Sequence, residues 1–243
     1  MSTMQDFHYS IAGEIFKKYP GYVRGVVVCY GVSNGPSPAE LVQMLRDAEE
    51  SVRARVEPER IAEEPRISAW REAYRAFGAK PSEYRSSVEA MARRALRGDP
   101  LPSINALVDI GNVISLRHLV PAGGHAIDLL TKDIELRFAT GQETFVPFGS
   151  ADTDVEHPLA GEIVFVEGDV VLTRRWTWRQ ANHTLTLPET TAIEFNVDGL
   201  PPVPTVEIEE ACAEIVGLVH RFCGGSSRVA ILSAENPRIS LAP

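Results

Sequence analysis

An α+β fold, with a mixed sheet and helices concentrated in the N-terminal half, is what this sequence predicts. Three observations carry the expectation. Apolar residues recur at helical spacing through most of residues 39–119. After His125 the chain changes to short β-branched or alternating runs. Between residues 23 and 30, Val-Arg-Gly-Val-Val-Val-Cys-Tyr is apolar on both faces, which suits a strand central in a sheet.

The elements follow in order. Ile11, Ile15 and Phe16 can line a short helix that ends at Pro20-Gly21. Ser37-Pro38-Ala39-Glu40 reads as a helix start with a capping box, and Leu41, Met44, Leu45, Ala48 and Val52 keep one apolar face. Asp47 to Glu64 is acid-rich and reads as a solvated face and loop. Ile67 to Phe77 is helical in spacing and stops at Gly78. Ser86 with Glu89 gives a second capping box, opening a helix that ends at Gly98. Ile104 to Leu119 is apolar enough for a largely buried helix. Ile134 to Phe138 alternates as a strand, Ile163 to Val166 and Val170 to Trp178 read as a hairpin, and Thr191 to Val197 is a further strand. In that hairpin Trp176 and Trp178 would share one face, with Arg175 and Arg179 on the other. Ile208 to Phe222 is an amphipathic helix stopped by Gly224-Gly225, and Val229 to Leu232 is a last short strand.

Bulk properties narrow the function. The 243 residues can bury a substantial core, and 44% hydrophobic with 23% charged residues is ordinary for a globular chain. A net charge of -9 disfavours a general nucleic-acid binder. A local exception runs from Arg66 to Arg97, where eight basic residues, including Lys80 and Arg85, outnumber the acidic ones. That region can bind phosphates or can simply fill exposed helix faces. Three cysteines without a CxxC pair suggest reduced thiols. No stretch has the layout of a signal peptide or the length of a membrane span, so a cytoplasmic protein with no membrane partner is expected. Six scattered histidines lack HxxxH or HExxH spacing, so neither a metal nor another cofactor is expected.

Two stretches hold candidate chemistry. Gly31-Val32-Ser33-Asn34-Gly35 fits G-x-S-x-G between a strand and a helix, the context of a serine-hydrolase nucleophile elbow. Only about one strand precedes it, and Pro36 and Ser37 delay the helix, so a glycine-rich loop is the simpler reading. Residues 104–128 hold Asn112, His125 and Asp128, with a turn at Pro121-Ala122-Gly123-Gly124 delivering His125. Asp109 and Asn112 lie one turn apart on a buried helix and need partners, either a neighbouring loop or a ligand.

The second stretch resembles the editing region, the B3/B4 domain, of the bacterial phenylalanyl-tRNA synthetase beta subunit. The residues that carry it are Ile104-Asn105, Leu107-Val108-Asp109, Asn112, Pro121, His125-Ala126-Ile127-Asp128 and the strand Ile134 to Ala139. FGAKPSEYRSS and RRWTWRQ look like the freestanding members of that family. The resemblance covers roughly residues 67–197 and implies one B3/B4-like domain over 1–243, with 1–66 and 198–243 as integral flanking elements. Three departures stand out. The turn before His125 is two residues longer, Gly141 comes one position early, and Arg174 to His183 replaces the segment whose glutamate reads a tyrosine hydroxyl. His183 falls nearest that glutamate, so tyrosine specificity is not implied.

By this resemblance the chain would deacylate mischarged aminoacyl-tRNA in trans. An aminoacyl ester is already reactive, so a site need only position water and stabilise an oxyanion. His125 would orient water or act as a base of near-neutral pKa. Asn112 would hold the ammonium or carbonyl, and Asp128 would orient the imidazole or cap a turn. Lys80, Arg85, Ser86, Arg175, Trp178 and His183 would meet the tRNA or the amino acid. Two rivals remain: a non-catalytic module that binds tRNA or an amino acid, and a serine esterase using Ser33.

Overall fold

The computed structural model describes residues 7–243. The expectation of no N-terminal leader falls partly on residues 1–6, which lie outside the described residues. The chain runs through β1 (His8–Ile11), α1 (Gly13–Lys18), β2 (Val23–Tyr30), α2 (Ala39–Arg55), a 3-10 turn (Pro58–Glu63), α3 (Pro65–Ala76), α4 (Ser87–Leu96) and α5 (Ala106–His118). It continues through β3 (Ala122–Ala126), β4 (Ile134–Phe138), β5 (Ile163–Glu167), β6 (Val170–Arg174), β7 (Arg179–Gln180), β8 (Ala192–Gly199), α6 (Thr205–Phe222), β9 (Ser226–Leu232) and β10 (Arg238–Ser240). This is an α+β fold, with α6 alone among the α-helices falling in the C-terminal half.

The strands form two sheets. A six-stranded sheet has the order β10-β1-β4-β5-β6-β7 and is mixed, because β1 pairs parallel with β4 while the other pairs are antiparallel. A four-stranded antiparallel sheet has the order β3-β8-β2-β9. The apolar run 23–30 is central in this second sheet, and its continuous burial explains why it does not alternate. Helix α6 packs on β2, β8 and β9, while α5 is held between α2, α6 and β3.

Three local expectations are corrected. Pro121 to Gly124 is not a turn. The chain reverses earlier, at Leu119, which takes a left-handed conformation (φ 49°) at the end of α5. Residues 122–126 then pair with β8 as an edge strand, because Gly124 allows close approach: a Cβ there would meet the Ile193 side chain at 2.9 Å and the Glu194 carbonyl at 3.0 Å. Second, Ser37 does not cap α2. Pro38 occupies the cap position without a side-chain bond, and Ser37 Oγ instead donates to Asp109 Oδ2 at 2.6 Å. Third, Glu49 in the acid-rich stretch is buried and accepts from the Leu101 amide at 2.6 Å, so that face is only partly solvated.

The hairpin is corrected most. Strand β6 ends at Arg174, and Arg175 and Trp176 both take left-handed backbone angles (φ 48° and 66°). Such residues cost about 1–2 kcal/mol each. The turn drives the Trp176 indole into the core, edge-on to Tyr19, Tyr22 and Trp70 at ring separations of 4.8–5.0 Å. Burying an aromatic side chain offsets that strain by about 2–3 kcal/mol, before ring-pair contributions. Trp178 leaves the turn in another direction, so the two tryptophans do not share a face.

Candidate functional site

A cavity of about 720 Å³ opens beside the first turns of α5 and the β3 edge, and reaches between the two sheets. Its mouth is apolar. Ile104, Leu187 and Phe148 line it while remaining 58%, 40% and 61% exposed. Deeper, Phe165, Trp178 and Met91 continue the apolar wall, and Arg24, Asn112, His125, Thr173, Gln180 and Asn196 supply polar groups. Apolar walls with a few convergent polar groups are the usual make-up of a small-ligand site.

The local sequence explains the geometry. Asn105 caps α5, accepting from the Val108 amide at 3.0 Å, while its Nδ2 donates to the Thr186 carbonyl at 2.9 Å. One residue therefore starts the helix and pins the loop that forms the mouth. Asp109, fully buried, accepts from Ser37 Oγ, Ser103 Oγ and the Ile104 amide, so its partners are loops rather than a ligand. Asn112, one turn on, faces the cavity, and its side-chain amide has no hydrogen-bond partner among the described residues.

His125 is held on both ring nitrogens. Nδ1 lies 2.8 Å from Thr184 Oγ1 and 3.3 Å from Gln180 Nε2, and Nε2 lies 3.1 Å from Thr173 Oγ1. An amide nitrogen only donates, so Nδ1 is assigned as the acceptor and Nε2 carries the hydrogen towards Thr173. The Thr173 hydroxyl, accepting there, keeps its own hydrogen for a group in the cavity. Burial pushes the imidazole down to about 3, and Arg24 and then His183 add to the shift. The near-neutral base expected from the sequence is thus replaced by a neutral imidazole that orients a hydroxyl.

The floor beneath has two parts, each built around a β8 carboxyl. Arg24 and Asp198 form a fully buried bidentate pair, at 2.7 Å from Nε and 3.0 Å from Nη2, and Arg24 Nη1 donates to Tyr9 Oη at 2.6 Å. The Tyr22 hydroxyl also donates to Asp198. Glu194 lies opposite His125 in register and is fully buried. Its Oε1 accepts from Asn196 Nδ2 at 3.0 Å, and its Oε2 has no partner. Burial pushes its carboxyl up to about 8, against the pull of Arg24 and the Asn196 hydrogen bond.

Of the residues singled out in the sequence, Asn112, His125 and Trp178 come together on the cavity wall. The others do not. Asp128 is exposed and accepts from the amide and hydroxyl of Thr191 at 2.7 and 3.0 Å, which ties down the chain after β3 and leaves the imidazole to the threonines. Ser86 is buried as the cap of α4, accepting from the Glu89 amide. The Arg175 guanidinium lies over both the Tyr84 and Trp178 rings, 3.6 and 4.4 Å from their centres, and the two rings meet edge-on at 5.0 Å, so the arginine braces Trp178. His183 bonds Glu167, whose other contacts are to Thr131 and Lys132. Lys80 lies in a separate shallow cleft with Arg71 and Arg75, paired to Glu83 at 3.3 Å. Arg85 sits 4.0 Å from Glu89, a buried carboxylate that also takes Arg71 and Arg93.

Ser33 is exposed in the loop before α2. Its amide donates to the Cys223 carbonyl, and among the described residues no histidine bonds its hydroxyl. The loop spans residues 31–38, so the tight strand-to-helix elbow that strains a nucleophilic serine outward is not formed.

The sequence reading missed Thr173, Gln180, Glu194 and Asn196. A signal existed for the last two. Glu194, Asn196 and Asp198 are the polar residues of the apolar run 192–199, at alternate positions, and so must share one face of a buried strand. Among the described residues no group of three or more His, Cys, Asp or Glu side chains could hold a metal ion, and no helix is long and apolar enough to cross a membrane.

Fold and site together define an α+β domain whose helices and two sheets wall a ligand-sized cavity with a polar floor. The B3/4 domain pattern matches residues 69–224, and the chain belongs to the B3/4 domain family. The match runs beyond residue 197 to take in α6. Among solved structures, the chain is similar to an N-terminal fragment of the phenylalanyl-tRNA synthetase beta-subunit from Pyrococcus horikoshii, with 12% identity and a TM-score of 0.45 over 90% of this chain and 50% of that one. The chain thus spans about half the length of that fragment. None of the curated proteins compared with it matches.

Proposed function

We propose that this protein hydrolyses the ester of mischarged aminoacyl-tRNA in trans, with the aminoacyl group bound in the large cavity. The observation that carries the reading is the convergence of Asn112, Thr173 and the doubly held His125 on one apolar-walled cavity. Water adds to the acyl carbon, the bond to the ribose oxygen breaks, and the proton lost by water ends on that oxygen. The chain's part is positioning. The Thr173 hydroxyl, directed by His125 Nε2–H, and the Asn112 amide are donors suited to the carbonyl oxygen as charge builds on it. The depressed pKa of His125 assigns it the orienting role and not that of the base. A cytoplasmic location accords with this activity.

The test is deacylation of a panel of mischarged tRNAs. The expected result is release by the wild type, slowing of at least about tenfold in Asn112→Ala and Thr173→Val, and no change in Ser33→Ala. Activity abolished by Ser33→Ala and kept in the other two variants would sink the reading in favour of a serine esterase.

One observation favours a second reading, a module that binds an amino acid without turnover. Arg66, Arg71, Arg93 and Arg97 are each paired with a carboxylate, as are Lys80 and Arg85, so little of the basic stretch is left for phosphates. Amino-acid binding with no release from any charged tRNA would establish it.

A further inference from the structure

Asn196 is a polar group of the cavity that the proposed reaction leaves unused. It lies in register with Gly123 of β3, which has no side chain to cover it, and a Cβ built on Gly123 meets nothing within 4 Å. Asn196 therefore faces open space in the cavity wall. Its Nδ2 is taken by Glu194 Oε1, and that bond fixes which way the amide faces: nitrogen towards the carboxyl, Oδ1 away from it. Oδ1 has no partner among the described residues. Behind it, Glu194 is buried, its second oxygen has no partner, and the nearby cation, Arg24, is engaged by Asp198 and Tyr9. An open acceptor backed by a buried carboxyl suits a donor that carries positive charge.

We propose that Asn196, oriented by Glu194, holds the α-ammonium of the bound aminoacyl group and makes the cavity selective for ligands with a free amine. This rests on the aminoacyl-ester reading and names the group that the site recognises. Asn196 touches the ligand, and Glu194 is a positioning residue that acts through it. Asn112 and Thr173 are then left for the carbonyl.

The test uses L-phenylalaninamide and its deaminated counterpart, 3-phenylpropanamide, with calorimetric titration of the full chain. Neither is an ester, so binding is read apart from turnover, and both suit the aromatic wall. The wild type is expected to bind the amine at least about tenfold more tightly, the worth of one charge-assisted hydrogen bond. Asn196→Leu and Glu194→Leu should lose that preference while still binding the deaminated probe, whereas Asn196→Asp should keep it. A merely structural role for Glu194 would weaken both probes alike. Equal affinity of the wild type for the two probes, or binding of neither, overturns the proposal. The two readings fail separately: hydrolysis of N-acetylaminoacyl-tRNA as fast as of the free-amine form would defeat the ammonium site and leave the deacylase standing, while amine selectivity without any deacylation would do the reverse.

Discussion

Two ends of one strand hold a buried carboxyl in opposite ways. At the C-terminal end of β8, Asp198 receives Arg24 through two nitrogens and Tyr22 through its hydroxyl, so both of its oxygens are bonded. At the other end Glu194 is just as buried, yet one oxygen has no partner and the other holds only an amide. The first cluster is closed on itself, and its chemistry is spent on holding the sheets together. The second borders open space and leaves acceptors unmatched, which a fold tolerates where a ligand completes the set. Satisfaction of hydrogen bonds, more than burial, separates the structural polar residues of this protein from those available to a ligand.

The sharpest way to break the comparison is at its closed end. Asp198→Ala strands Arg24 as an unpaired buried cation and should cost about 3–5 kcal/mol in urea unfolding. The matching change at the open end should act in the other direction. Glu194 has a folded pKa of about 8, raised from an ordinary 4.5, so its contribution is fully present below pH 4.5 and is lost as pH rises through 8. Glu194→Gln should remove that slope and gain on the order of 1–3 kcal/mol over the wild type at pH 8. If this variant were instead as damaging as the Asp198 change, the distinction between the two ends would collapse.

His125 gives the complementary limb. Its folded pKa of about 3 lies below the ordinary 6.5, so its contribution is present above pH 6.5 and is lost as pH falls towards 3. Between pH 4.5 and 6.5 the two groups oppose each other, and His125→Gln should flatten the acid side of the stability profile measured by denaturant midpoints. Gly123→Val should change stability by less than about 1 kcal/mol, because its side chain enters open space, yet weaken amine binding at least about tenfold by covering Asn196. The smallest effect is expected far from the cavity. Lys80→Ala and Arg75→Ala in the shallow cleft should each stay within about 0.5 kcal/mol of wild-type stability. A flatter salt dependence of tRNA binding in these variants would show that the cleft meets phosphates.

Much of the architecture is legible in the sequence because burial imposes period. The run 23–30 announces a central strand, and α3, α4, α5 and α6 follow apolar spacing closely. The misreadings share a cause. Ser37, Arg175 and Trp176 depart from what local pattern implies because distant partners set their conformations: Asp109 for the serine, the Tyr19–Tyr22–Trp70 cluster for the tryptophan, and the Tyr84 ring for the arginine. Of the residues that line the cavity, Asn112 and His125 stand out in the sequence through the family resemblance. Thr173 and Gln180 do not, since single hydroxyl and amide residues in a strand carry no local signal of what lies across from them.

What the sequence determined by itself is the α+β class, the order of most elements and the face on which Glu194, Asn196 and Asp198 must lie. Those follow from hydrophobic period and strand alternation, which depend on near neighbours along the chain. What only the tertiary structure decided is which of those polar groups are satisfied. Arg24 reaches Asp198 from a strand far away in sequence, and Gly123 leaves Asn196 uncovered because β3 happens to lie beside β8. Hydrogen-bond completion is a property of what meets across sheets, and no local window of sequence contains both partners.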